Sequence, residues 1–436
     1  MSAEGSVGAV LGQGTLGGAL ISQAVLDDGV AGQFQPGEGM SYGSIQMAPM
    51  MWQDDLLYGM EGMEEARRAA RKMNIVMKER AWTLNREKSV CLVVGSKEQR
   101  REATREMESS PVMCGEVELK EKEVWKWLGQ YLSSEGLAAS VAETVAAREG
   151  RVRGACLEIA MIVNDWRAAV AGGLDTALLL WEVCVIPSLL YGAGTWVEVS
   201  RATVDKLNSL QRWFARLVLQ VGPGTPGPAL TWETGLMEMG LRIKLEKLML
   251  VFHLRSLDEG ALARKIYEEQ KVQQWPGLAK ETKKICEELG IEDVNVTNMG
   301  KKEFKAEATE ACLVKDEETQ RRLASKSKKC ERIMADDFGK KEYFSQQSIS
   351  KARKYFCTRV SMTRFAGNYS HDKRFQKSNW LCRCLLAREE ESHLTSSSCP
   401  VYADIREKYN DLTTDEALVS FFGEVLARRE ALEEEE

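Results

Sequence analysis

Two groups of residues in this chain have the types and spacing to do chemistry. The first is the adjacent pair Asp54 and Asp55, with Met50, Met51 and Trp52 before it and Leu56, Leu57 and Tyr58 after it. Apolar types on both sides favour a buried hairpin with the acids at its tip. Ionised carboxylates are costly to bury unless paired or bound to a cation. An Asp pair so placed therefore points to a divalent ion, and Mg²⁺ takes oxygen ligands. The alternative is a solvated turn that carries two acids. The second group is Cys382, Cys384, His393 and Cys399, in the pattern C-x-C-x8-H-x5-C. Three thiolates and one imidazole suit tetrahedral Zn²⁺. The spacing differs from that of the common zinc fingers, which put two or more residues inside the first cysteine pair, and four unmetallated side chains are the competing reading.

The elements that must position the first group follow from periodicity. Residues 62–82 read as a helix, with Met63, Ala66, Ala70, Met73 and Met77 at steps of three and four and Arg67, Arg68, Arg71 and Lys72 on the other sides. Residues 89–94 read as a strand closed by Gly95. Residues 96–123 are charged without a clear period, apart from a short hairpin around 112–119. From Val141 the pattern turns helical through Val145, Val152, Cys156, Ile159 and Val163. A second helix over about residues 175–186 is expected to stop at Pro187, and a third carries Val204, Leu207, Leu210, Phe214, Leu217 and Val221. Residues 222–228 form a linker or tight loop. Further helices are expected over 236–257 and 262–274, and highly charged ones over 280–335.

Before the Asp pair lies a glycine-rich stretch in which Gly12, Gly14 and Gly17 satisfy G-x-G-x-x-G. A dinucleotide site would need a second strand ending in an acid about 20 residues on, and residues 29–43 are loop-like and glycine-laden instead.

Taken together, these segments resemble the catalytic core of a reverse transcriptase of the non-LTR (LINE-type) retrotransposons. Trp52-Gln53-Asp54-Asp55 resembles the family's aromatic-x-Asp-Asp box, and Gly12-Gln13-Gly14-Thr15-Leu16-Gly17-Gly18 its Gln-Gly segment. Leu84-Asn85-Arg86-Glu87-Lys88-Ser89 resembles its Asn-x-x-Lys segment, and Val124-Trp125-Lys126-Trp127-Leu128-Gly129 its primer-grip hairpin. The terminal Cys/His pattern, with Glu391 two residues before His393 and a Cys-Pro-x-Tyr ending, resembles the family's C-terminal motif. The resemblance implies an α+β fold. Residues 1–132 would be a partial polymerase palm, an antiparallel hairpin sheet with helices. Residues 133–222 would be a mostly helical thumb, 223–339 a charged helical connector, and 340–436 a basic, aromatic stretch with a zinc-binding segment.

By the same resemblance, Asp54 and Asp55 hold Mg²⁺ for two-metal nucleotidyl transfer, and Lys88 helps pyrophosphate leave, unless it is simply a surface lysine on a turn. Gln13 and Gly14 line the nucleotide and template site, and Trp127, Leu128 and Gly129 grip the primer. The expected partner is an RNA or DNA template–primer. The family takes a further aspartate from a strand upstream of the Gln-Gly segment, whereas none of the twelve residues before Gln13 is Asp. The expectation is thus a truncated RNA-directed DNA polymerase, inactive alone. The alternative is a non-catalytic RNA-binding protein using the thumb, the basic stretch and the zinc motif.

Charge and composition set the outer bounds. The net charge of −6 over 436 residues hides an asymmetry, since residues 1–66 contain no Lys or Arg. From Lys340 to Trp380 cations alternate with Tyr343, Phe344, Tyr355, Phe356, Phe365, Phe375 and Trp380, a composition that suits RNA binding or a basic helix whose aromatics are core. No apolar run reaches the roughly 18 residues of a membrane span, and no basic residue precedes the first apolar run as in a signal peptide. Eleven scattered cysteines fit reduced thiols, so the expected location is intracellular, nucleus or cytoplasm.

Overall fold

The computed structural model describes residues 40–47, 50–52, 55–165, 171–292, 299–365, 368, 381–396, 398–409 and 411–434. These contain helices and short strands, an α+β composition that is mostly helical. The strands pair only in twos: four antiparallel pairs and one parallel pair, Val90–Cys91 with Lys120–Glu121. The chain divides into two units. One takes the residues up to Thr144 together with Thr195–Ser200 and Leu250–Ile285; the other takes Val145–Gly194, Arg201–Met249 and Cys286–Glu436.

In the first unit the helix Met63–Glu79 lays Ala70 into a core with Met107, Val112 and Cys114, and Met63, Ala66, Met73 and Met77 pack against it. The expected apolar stripe is therefore the packed face. Arg67 departs from its expected solvent position. It is buried, and its guanidinium donates to Glu64 and Glu106 at 2.8 Å each and to the Ser110 carbonyl at 2.7 Å. Those partners satisfy a cation that could not otherwise leave water. Residues 96–109, read as aperiodic, hold a second helix, Lys97–Ser109. It is nucleated by a capping box: Ser96 Oγ accepts from Gln99 N, and the Gln99 side chain accepts from Ser96 N. The short hairpin near 112–119 is present as Met113–Cys114 paired with Val117–Glu118, turning at Gly115 with φ +63°.

The second unit is built of helices. In Leu137–Asp165, which begins in the first unit, Val145, Val152, Cys156, Ile159 and Val163 are all buried. Arg148 reaches from this helix to the carbonyls of Leu189 and Tyr191, at 2.9 and 2.8 Å, and so satisfies acceptors that the end of another helix leaves open. That other helix does not stop at Pro187. It runs as Gly173–Leu180, widens to a π-turn over Trp181–Val185, and continues through Ile186–Leu189. The Ile186 N–H bonds to the Trp181 carbonyl, five residues back. The widened turn relieves the clash that a proline ring makes with an α-helical turn. Trp181 stacks on Phe214 of the helix Arg201–Leu219 at 4.6 Å between centroids.

Asp316, on the helix Lys301–Ala324, is fully buried. Burial is the main cause that holds its carboxyl up at about 6, against hydrogen bonds from Glu238 N and the Gln320 side chain that pull it down. The folded value lies above the unfolded one of about 3.8, so the native state binds the proton more tightly. Its contribution to stability is full below pH 4 or so and is lost as pH rises through about 6. The interval corresponds to roughly 3 kcal/mol. In urea unfolding between about pH 4.5 and 7.5, Asp316→Asn should remove most of this slope relative to the native chain. Equal slopes in the two proteins would refute the assignment.

Candidate metal centre

The Cys/His residues are brought together by a short loop, a helix and a turn. Leu381 and Arg388 form an isolated antiparallel bridge, and the Cys382 N–H bonds to the Ala387 carbonyl at 2.9 Å, closing the loop that carries Cys382 and Cys384. His393 lies in the helix Glu391–Thr395, and Cys399 enters the 3₁₀ turn Pro400–Tyr402. The ligating atoms of Cys382, Cys384, His393 and Cys399 all lie within 4.8 Å of one another. Cys382 Sγ is 3.6 Å from Cys399 Sγ, and Cys384 Sγ is 3.1 Å from His393 Nε2. A tetrahedron with zinc–sulfur bonds of about 2.3 Å has sulfur–sulfur edges near 3.8 Å, so the spacing fits. Cys382, His393 and Cys399 are buried and Cys384 is half-buried. The cluster can hold a metal ion, and its donor set is compatible with zinc. With four protein ligands it leaves no open position, which is the arrangement of a structural site.

The surroundings suit bound thiolates. Burial pushes the Cys382 thiol up to about 12, a proton that a coordinated ion would displace. Burial also acts on Cys384, but donation from the Leu386 N–H at 3.4 Å and from neighbouring groups outweighs it and leaves that thiol below its ordinary value. The Tyr402 hydroxyl is buried in the same cluster without a hydrogen-bond partner. Around the ligands, Arg406 donates to the Leu394 carbonyl at 3.0 Å and to the Cys399 carbonyl. Glu391 accepts from Thr363 N at 2.9 Å and from Asn368 Nδ2 at 2.8 Å, tying the histidine helix to those two residues. Phe365, Leu394, Tyr402, Ile405, Leu418, Phe421, Phe422 and Val425 close over Cys382 and Cys399 as one apolar cluster. The terminal helix Asp415–Glu434 supplies half of it.

The other expected site residues are placed as follows. Gln13, Gly14 and Asp54 lie outside the described residues. Asp55 opens the strand Asp55–Leu57, which pairs with Met50–Trp52 in the register Trp52 to Asp55, so a hairpin brackets Gln53 and Asp54 in sequence. Leu56 is exposed in it. Lys88 is exposed at the end of a turn in which Asn85 Oδ1 accepts from Glu87 N and Lys88 N; the turn alone accounts for the asparagine. Trp127, Leu128 and Gly129 form the end of the hairpin Val124–Trp127 and Gln130–Ser133, with Leu128 at φ +46° and Gly129 at +78°. Two consecutive positive φ values are what a two-residue hairpin turn of matching twist requires. Among the described residues, only the Cys/His group gathers three or more such ligands.

Of the two readings of the aromatics, stacking faces or core, the core reading holds where they are described. Tyr343, Phe344, Tyr355, Phe356 and Phe365 are buried, while Phe375 and Trp380 lie outside the described residues. The cations beside them are largely engaged. Arg353 donates to the Val218 carbonyl at 2.7 Å, Lys340 pairs with Asp175, and Arg359 sits in a buried carboxylate network. Lys354 and Arg364 remain exposed. Sequence reading missed that network. Arg359 meets Glu233 at 2.7 Å and also Asp336 and Asp415, and Tyr343 Oη donates to Glu233 at 2.8 Å.

No protein-family model, curated protein or solved structure matches the chain. None of the eleven cysteines, all of them among the described residues, forms a disulfide. Among the described residues, no helix is long and apolar enough to cross a membrane.

Proposed function

We propose that the chain is the palm, thumb and tail part of an RNA-directed DNA polymerase of the non-LTR retrotransposon type, and that its own contribution is to bind the template–primer. The observation that supports this reading most is the closed Cys₃His arrangement, formed by the four residues that the family resemblance picks out. The hairpins at 50–57 and 124–133 are further support, because each carries one of the resembling segments at or beside its turn. In this reading zinc orders the tail. Asp54 and Asp55 hold Mg²⁺, which would stabilise the attacking and leaving oxygens. Lys88 assists at the triphosphate, Gln13 and Gly14 line the nucleotide site, and Trp127 to Gly129 meet the primer. Eleven cysteines without a disulfide suit a reducing compartment, nucleus or cytoplasm.

A second reading is a nucleic-acid-binding protein without catalysis, which needs only the Cys₃His-ordered tail and exposed cations such as Lys354 and Arg364. A single set of measurements separates the two. Both predict RNA binding that weakens steeply with salt. Binding should survive Asp54→Ala/Asp55→Ala and fail on Cys384→Ser. The chain alone should not extend a primer; extension with Mg²⁺ once a chain supplying the missing upstream palm and fingers is added, abolished by the same double substitution, would establish the catalytic reading, and absence of extension in that mixture leaves the binding protein. A chain that binds neither RNA nor zinc would sink both.

A further inference from the structure

The helix Leu137–Asp165 buries Val145, Val152, Cys156, Ile159 and Val163, and the opposite side of its second-unit part faces solvent. Leu157 is 47 % exposed there, Met161 63 % and Ile162 44 %. Earlier on the same face, at steps of three and four, stand Ala147, Gly150 and Gly154. Glycine is a poor helix former, and close approach of another group to the backbone is a reason to keep it there. Nothing in the chain makes that approach, since a Cβ added at Gly150 or Gly154 would meet nothing within 4 Å. Any group for which these glycines make room therefore comes from outside the chain.

The order of residues along the face indicates what that group is. Its first half is small and its second half is large and apolar. A second copy of the same helix, laid antiparallel, sets Leu157 of one copy between Gly150 and Gly154 of the other, and Met161 beside Ala147. The charges agree with this pairing. Arg151 and Glu158 lie two turns apart on one flank of the face, both exposed, and neither has a hydrogen-bond or ion-pair partner among the described residues. A two-fold axis across an antiparallel pair brings each flank against the same flank of the other copy. With the axis between Gly154 and Ala155, Arg151 of each copy faces Glu158 of the other, so both free charges are matched twice. A parallel pair would join opposite flanks and leave the two charges apart. On the other flank Arg153 is already engaged, with Glu149 at 2.9 Å and over the Trp213 ring at 4.8 Å.

We propose that residues 147–162 form an antiparallel, two-fold helix–helix contact between two copies of this chain, with Leu157 and Met161 seated over Ala147, Gly150 and Gly154, and with Arg151 meeting Glu158 across the axis. The contact uses only about four turns of one helix, so the dimer is weak, with a dissociation constant on the order of 10 µM. It stands apart from the polymerase and RNA-binding readings and does not need either.

The test is sedimentation equilibrium of the full chain, with reductant present so that the exposed Cys184 cannot cross-link. The native chain should pass from monomer to dimer between about 1 and 100 µM. Arg151→Glu and Glu158→Arg, each alone, set like charges against each other and should weaken association at least about tenfold. The double variant should restore it, and so should an equal mixture of the two single variants. Gly154→Leu fills the seam; with open space around that position in its own chain, it should keep the native thermal midpoint and lose association by a similar factor. A native chain that stays monomeric at about 100 µM would overturn the proposal. A dimer indifferent to the single charge reversals, or not restored by the double, would place the contact elsewhere and overturn it equally. Weakened RNA binding by Gly154→Leu with association unchanged would assign the face to nucleic acid, and the proposal would fall.

Discussion

Cys384→Ser is expected to release the metal and unfold the C-terminal module. Zinc content should fall from one ion per chain to near zero, and apparent affinity should drop by at least about 100-fold, since a hydroxyl is a poor substitute for a thiolate in a closed four-ligand site. The reason for the large effect is topological. Cys382 and Cys384 hang on a loop with one bridge, His393 on a helix of five residues, and Cys399 on a three-residue turn. None of these elements is long enough to be stable alone. For small metal-folded domains the binding energy is the folding energy, on the order of 10 kcal/mol or more. Here the terminal helix offsets part of that dependence, because Leu418, Phe421, Phe422 and Val425 bury themselves against the ligand-bearing segments. The variant should therefore expose Phe421 and Tyr402 to solvent while keeping helical signal from residues 415–434. Zinc titration by a chelating dye, together with hydrogen exchange over residues 381–434, decides the matter. Full protection in a zinc-free variant would show that the cluster packs without an ion.

Arg359→Met should cost about 3–5 kcal/mol in urea unfolding of the second unit. Glu233 is fully buried, and its carboxylate is satisfied by two guanidinium bonds, at 2.7 and 3.0 Å, and by the Tyr343 hydroxyl. Burial by itself would lower the basicity of Arg359; the bonds to Glu233, Asp336 and Asp415 outweigh it and raise it above its ordinary value. Removing the guanidinium leaves a buried anion with one neutral donor, the most expensive outcome for an ion network. Glu233→Gln should be milder, because Asp336 and Asp415 still hold the arginine. The double variant Arg359→Met/Glu233→Gln should recover much of the loss. A double variant no better than Arg359→Met would mean that methionine cannot be accommodated in the space, and that packing rather than charge set the cost.

Where the stabilising partner lies near in sequence, the fold could be read from the residues. The stripe of Met63, Ala66, Ala70, Met73 and Met77, the valines from Val141 to Val163 and the Trp127-Leu128-Gly129 turn each declare their own element. The four metal ligands were legible because soft donors are scarce and their chemistry is specific. The helix over 97–109 was missed, although Ser96-x-x-Gln99 announces it, because its exposed, charged faces leave little apolar period. Arg67 and Arg359 were out of reach. Their types belong on the surface, and what draws them inward are acceptors 39 and 126 residues away. The aromatics at 343–356 left two readings open for a related reason. Flat side chains beside cations describe both a stacking face and a helix interior, and only tertiary packing chooses between them.

The π-turn over Trp181–Val185 has an effect beyond making room for a proline. In a regular α-helix, side chains four apart drift around the axis, because a turn takes 3.6 residues. A wider turn cancels part of that rotation. Trp181, Val185 and Leu189, all inward-facing, are thereby brought closer to a single line along the helix. The protein gives up local ladder regularity and obtains a straight seam, against which a neighbouring helix can lie without twisting away.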